Sequence, residues 1–235
     1  MNNKGFTIIE ILTAMAVGTV VMAAVYAVID LSQRTSAGIE RRVAAQQDQK
    51  AALELMSMEI AMASYDPTRA EPWVNRMTCN GSGAMQNKGI QEATANAITI
   101  QMDINDDGNL CVTPITKICT GPTDIDTNEI IRYNYVSNLY ITRSVNCGPA
   151  QAFLGASSAN ERAVRVINAE LNVPLFRYFN GNGIELASPV ATISNIRRIL
   201  ITLAVETENI DPSTGQRRRL VYSTSAIVRN HAPVF

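Results

Sequence analysis

The chain is poor in charge, in histidine and in tryptophan. Only 17% of its 235 residues are charged, against about 25% in a typical soluble domain. The net charge of −1 gives no global field that would draw it to nucleic acid or to an acidic membrane surface. One histidine, His231, and one tryptophan, Trp73, are present. A lone histidine makes a His-ligated metal centre or a serine or cysteine triad hard to assemble. No Walker A loop and no GxSxG elbow occurs, so nucleotide binding and catalysis are not expected. Glycine and proline are too few for a collagen-like or low-complexity chain. The apolar share of 46% excludes intrinsic disorder, which goes with low hydrophobicity and high net charge. The length suits one domain of ordinary size with some chain left over.

The apolar residues concentrate at the amino end. Residues 6–29 form one run with a single charge, Glu10. As a helix of about 24 residues it would reach about 36 Å, enough to cross a hydrocarbon core of about 30 Å. A secretory signal has an apolar core of about 7–15 residues and no acid deep inside it. A plain membrane anchor leaves Glu10 unexplained, because a carboxylate in a bilayer costs roughly 2.5 kcal/mol or more and usually marks a pairing role.

The string Lys4-Gly5-Phe6-Thr7-Ile8-Ile9-Glu10 resembles the class III signal of type IV pilins and pseudopilins. The resemblance implies a leader, residues 1–5, cut after Gly5 by a prepilin peptidase, and N-methylation of the new amino-terminal Phe6. Gly5 gives the peptidase a backbone without a side chain. It also implies that Glu10 pairs with the Phe6 amine of a neighbouring subunit and sets the axial register of packed helices. Topology then follows: a single pass through the bacterial inner membrane with a periplasmic head, later a filament or the cell surface. Arg34, Arg41 and Arg42 lie beyond the span and weaken the positive-inside pattern; the leader motif outweighs them.

Helix-forming residues continue past the membrane, with no proline before Pro67. Tyr65-Asp66-Pro67 is a stop signal. The expected helix therefore has a transmembrane half, 6–29, and a periplasmic half, 30–65. Leu53, Met56, Ile60 and Ala63 share one face, widened by Leu55, Met58 and Met62, and this face is expected to pack on the head. Residues 32–50, with Gln33, Gln46, Gln47 and Gln49, suit a spacer between membrane and head.

The head, residues 66–235, turns to a strand-like period. Loop is expected over 66–94. Strands are expected over 97–102, 129–135, 139–143, 175–179, 199–205 and 220–228. The last two read as a hairpin with a long tip. Residues 147–174 read as a short helix or an irregular connection. The fold class is α+β: the pilin fold, a long amino-terminal helix packed on a carboxy-terminal antiparallel sheet.

Within the family the order of features resembles PilW-type minor pilins. The features are Asp103-Ile-Asn-Asp-Asp-Gly, Glu129-Ile-Ile-Arg-Tyr, Phe176-Arg-Tyr before a glycine turn, and Val228-Arg-Asn near the end. The resemblance implies a structural subunit that primes assembly or sits at a filament tip. Its partners would be other minor pilins and the major pilin, with no nucleotide of its own and nucleic acid not expected. A J-type minor pseudopilin of type II secretion is the second reading.

With the head in an oxidising periplasm, the four cysteines are expected to form two disulfides. Of the three pairings, Cys111–Cys119 closes a local loop and leaves Cys79–Cys147. Asp103-x-Asn105-x-Asp107-Gly108 copies the first half of a calcium loop, with Asp124, Asp126 or Glu129 to complete a noncontinuous site. The match fails at Pro114, so a turn built on Asp107-Gly108 is the alternative; no cofactor is required. Arg217-Arg218-Arg219 and Arg197-Arg198 read as solvated, with a patch for DNA or another anionic partner as the alternative, and His231 reads as exposed without a partner.

Overall fold

The computed structural model describes residues 5–67, 89–104, 129–136, 140–146, 148–155, 164–211 and 214–231. Among the described residues one α-helix, α1 (Ile8–Ala61, 54 residues), leads into ten strands. At 1.5 Å per residue α1 is about 81 Å long. It starts where Thr7 caps it and runs unbroken because the span holds no proline. It stops at Met62, and Ser64 then takes a left-handed conformation (φ 66°). The Ser64 N–H bonds to Gln101 O at 2.9 Å, tying the end of the helix to the head. Gly89 must be glycine at this junction: its φ is 88°, and a Cβ there would lie 1.7 Å from Ser64 Oγ.

Among the described residues the head has two antiparallel sheets, where one was expected. The first runs β1 (Ile90–Ala93), β2 (Ala97–Gln101), β3 (Ile130–Val136), β4 (Tyr140–Val145) and β5 (Gln151–Gly155) in sequence order. The second runs β10 (Arg219–Ile227), β9 (Arg198–Thr207), β7 (Phe176–Phe179) and β8 (Glu185–Leu186). A short β6 (Val164–Val166) pairs with the far end of β9. Six strands lie where the β-branched and aromatic runs place them, and β9 with β10 forms the expected hairpin. β1 lies in the stretch read as loop, and β5 and β6 lie in the stretch read as irregular.

The sheets are joined by hydrogen bonds as well as by apolar packing. Phe176 N–H donates to Ala95 O at 3.0 Å, Tyr178 O–H to Thr94 O at 2.8 Å and Tyr135 O–H to Val166 O at 3.1 Å. Burial holds the phenols of Tyr178 and Tyr135 above their ordinary range. The buried Asn168 satisfies three backbone groups that the β6–β7 connection leaves over. Its Nδ2 donates to Thr202 O (2.7 Å) and Val173 O (3.2 Å), and its Oδ1 accepts from Ala204 N–H (2.9 Å).

The lower half of α1 lies on β9, β10 and β5. Leu53, Met56, Ile60 and Ala63 are buried, as their spacing predicts, while Met58 stays exposed. Docking begins earlier than expected. From Gly38 the helix already touches the head, so residues 32–50 are not a free spacer. Arg41 Nη1 donates to Ile210 O at 2.8 Å, Ala45 is fully buried, and the buried Gln49 donates to Leu203 O at 2.7 Å.

Candidate functional site

The site at the amino end is assembled by a helix start. Thr7 is the N-cap of α1, with extended backbone (φ −79°, ψ 153°). Its Oγ1 accepts from Glu10 N–H at 3.3 Å. Glu10 Oε2 in turn accepts from Thr7 N–H and Thr7 O–H, both at 2.8 Å. This reciprocal capping box satisfies donors that a helix start otherwise leaves orphaned. It also places the one charge of the apolar run at the positive end of the helix dipole. Both of these bonds fall on Oε2; among the described residues Oε1 accepts none.

Gly5 and Phe6 precede the helix in exposed chain, and Phe6 is 85% exposed. The Gly5–Phe6 bond is thus outside the helix. The segment beyond it suits a lipid environment. The Thr13 and Thr19 hydroxyls donate to the carbonyls of Ile9 and Ala16, at 2.9 and 2.8 Å, so neither is left bare to lipid. The helix is long and apolar enough to cross a membrane, and none of its most apolar window is buried in the protein. Arg34 pairs with Asp30 at 2.9 Å, one turn apart, directly after the apolar run.

A second feature, which the sequence did not reveal, lies where α1 meets the first sheet. Glu59 is buried, and its carboxylate takes Arg143 Nη2 at 2.7 Å and Nε at 3.2 Å in a two-pronged pair, plus the O–H of Tyr133. Burial and the Glu59 carboxylate push the Tyr133 phenol far above its ordinary range. Burial draws the Arg143 guanidinium down, but the bond and charge of Glu59 outweigh it and hold it above its usual value. The aromatic edge of Tyr133 meets Phe153, centroids 5.1 Å apart.

The other expected sites are placed as follows. Asp103 is buried, its N–H bonded to Tyr65 O at 2.8 Å. Glu129 lies nearby, its Oε1 accepting from Ile104 N–H at 2.9 Å. Asn105, Asp107, Asp124 and Asp126 lie outside the described residues, as do Cys79, Cys111, Cys119 and Cys147. Gly108, with which Asp107 would form the alternative turn, lies outside the described residues too. Among the described residues no cluster of three metal-ligating side chains occurs.

The arginine runs are not merely solvated. Arg218 pairs with Asp211 at 3.0 Å and Arg219 with Glu206 at 3.0 Å, and Arg217 reaches Glu206 at 3.4 Å. Arg197 donates to the carbonyls of Ser194 and Ile196, and the Arg198 guanidinium sits 4.1 Å from the centre of the Phe179 ring. His231 is buried, not exposed. Its Nε2 donates to Ile193 O at 3.0 Å, and its Nδ1 shares a hydrogen bond with Ser64 Oγ at 2.9 Å. The chain after β10 returns to the end of α1, which a linear reading of a near-terminal histidine does not reveal.

No curated protein and no solved structure matches the chain. Residues 1–26 match the family model of the prokaryotic N-terminal methylation motif. The chain therefore carries a prepilin-type signal, set ahead of a membrane-capable helix and a pilin-like α+β layout.

Proposed function

We propose that the protein is a minor pilin of a bacterial type IV pilus, a structural subunit that primes assembly or sits at the filament tip. The observation that carries this reading is the methylation motif placed on an exposed, pre-helical Gly5–Phe6 bond, with Glu10 in the first turn. A prepilin peptidase would cut after Gly5, and Phe6 would be N-methylated. The chain would wait in the inner membrane with its head in the periplasm.

In the isolated chain Glu10 is held by Thr7 through one oxygen. In an assembly the other oxygen would take the Phe6 amine of a neighbour. An ion pair in a low-dielectric setting favours a single axial register, because any slip leaves a buried charge unpaired. Partners would be other minor pilins and the major pilin, and assembly energy would come from a separate ATPase. The role is structural and needs no catalysis by this chain.

The test is incorporation. Glu10→Ala should insert into the membrane at the wild-type level and drop at least tenfold in filaments sheared from the cell surface. Equal incorporation would refute the register role. If the wild-type chain is absent from surface filaments and its deletion blocks protein secretion, the pseudopilin of a type II secretion system is the correct machine.

A further inference from the structure

Edge strands of a sheet expose unpaired backbone groups, and proteins guard them with bulges, charges, prolines or short length. Among the described residues most edges here are guarded. β1 has a bulge between Ile90 and Glu92, and Glu92 is paired with Arg132. The pairing of β5 shifts opposite Ile141 and Thr142. β8 has only two residues, one of them Glu185, and β6 has three.

β10 differs. It is nine residues long and keeps one unbroken register with β9, from Arg219↔Glu206 to Ile227↔Arg198. Leu220 to Ile227 contains no charge, no proline and no bulge. The bonds from Thr207 N–H to Arg218 O and from Val228 N–H to Arg197 O fix its parity: even-numbered residues bond to β9. The N–H and C=O groups of Val221, Ser223, Ser225 and Ile227 therefore point away from the sheet, and among the described residues no strand pairs with them. These residues are exposed, Val221 and Ile227 each to 54%.

The direction of β10 limits what can pair with it. Gly38 lies beside Asp211 near its start, Gln46 reaches Tyr222 in its middle at 3.5 Å, and Ser64 meets His231 just past its end. Helix and strand thus run the same way. Antiparallel pairing of β10 with β10 of a second copy needs a two-fold axis normal to the sheet. That axis would reverse α1 and point the two apolar spans in opposite directions, which a shared membrane forbids.

We propose that the outer edge of β10 receives an extended, uncharged strand from a different membrane-anchored subunit, by strand addition. The inference rests on the reading of the chain as an assembling subunit. Amide exchange of the full chain tests it, resolved by residue, first in detergent alone and then within the assembly isolated from its own cell. Val221, Ser223 and Ser225 amides should exchange at least 100-fold more slowly in the assembly, while Tyr222 and Thr224 stay slow in both. A photo-crosslinking residue at Ser225 should then join an uncharged segment of another chain that bears its own amino-terminal methylation signal. Unchanged exchange in an incorporated chain would overturn strand addition and leave the pilin reading intact. A crosslink to β10 of a second copy would overturn the assigned occupant. A chain that is never incorporated would overturn both.

Discussion

The guanidinium of Arg143, on β4, closes on the carboxylate of Glu59, in the last turns of α1, at 2.7 Å. The pair joins the helix to the first sheet and is mostly withdrawn from water, with side-chain exposures of 22% and 11%. Removing one member leaves the other charged and buried. Arg143→Met should therefore destabilise the protein by about 3 kcal/mol. Glu59→Met combined with Arg143→Met should recover most of that loss, because two packed apolar side chains replace two desolvated charges. Denaturant unfolding of the full chain in detergent, with the two single variants and the double, measures both values.

The same pair makes stability fall in alkali. Tyr133 keeps its proton in the fold well above the usual tyrosine range, through burial and the Glu59 carboxylate, whereas the unfolded chain releases it near pH 10. Above about pH 10 the native state holds more protons than the unfolded one, so stability declines as pH rises, by about 1.4 kcal/mol per pH unit for this group. Tyr135 and Tyr178 act in the same direction. Tyr133→Phe should lose part of this slope between about pH 10 and 12, while remaining less stable than wild type at pH 7 for want of the bond to Glu59. Thermal midpoints across that range decide it.

Gly38 is fixed by a neighbour, not by its backbone. A Cβ there would lie 2.9 Å from Asp211 Oδ1, and Asp211 is itself buried and held by Arg218. Gly→Ala in an exposed helix normally gains about 1 kcal/mol. Gly38→Ala should fail to gain this and should loosen the β9–β10 tip, read as at least tenfold faster amide exchange at Thr207 and Gly215. Gly18→Ala is the control: a Cβ there meets nothing within 4 Å, and exchange at the tip should not change.

Asn168→Ala should cost at least about 2 kcal/mol, since two carbonyls and the Ala204 N–H lose the amide that satisfies them in a buried site. Asn168→Asp should be no milder, because a carboxylate cannot donate to Thr202 O. Denaturant midpoints of the two variants report this directly.

What could be read from the chain was what neighbouring residues encode. The string from Lys4 to Glu10 is a local signal, and its helix cap, Thr7 with Glu10, is a three-residue relationship. The strands around Ile98, Tyr133 and Leu203 announce themselves by β-branched and aromatic alternation. β1 does not, because Ile90-Gln-Glu-Ala is polar, and it becomes a strand only by pairing with β2. The division into two sheets was also hidden, since it depends on β7 choosing β9 and on Phe176 reaching Ala95. Glu59 looks like any helix-surface acid until Arg143, 84 residues later, arrives beside it. The burial of His231 and the ion pairs of the solvated Arg217–Arg219 run were hidden for the same reason: their partners, Ser64, Asp211 and Glu206, are set by tertiary return of the chain.

The central claim is that the amino end is a processed and assembling signal. Its most direct test is the intact mass and amino-terminal peptide of the protein taken from its native membrane, with and without the prepilin peptidase. The account predicts a chain beginning at N-methyl-Phe6 when the peptidase is present and one retaining residues 1–5 when it is absent. Retention of residues 1–5 in both would contradict it and leave only a plain membrane anchor.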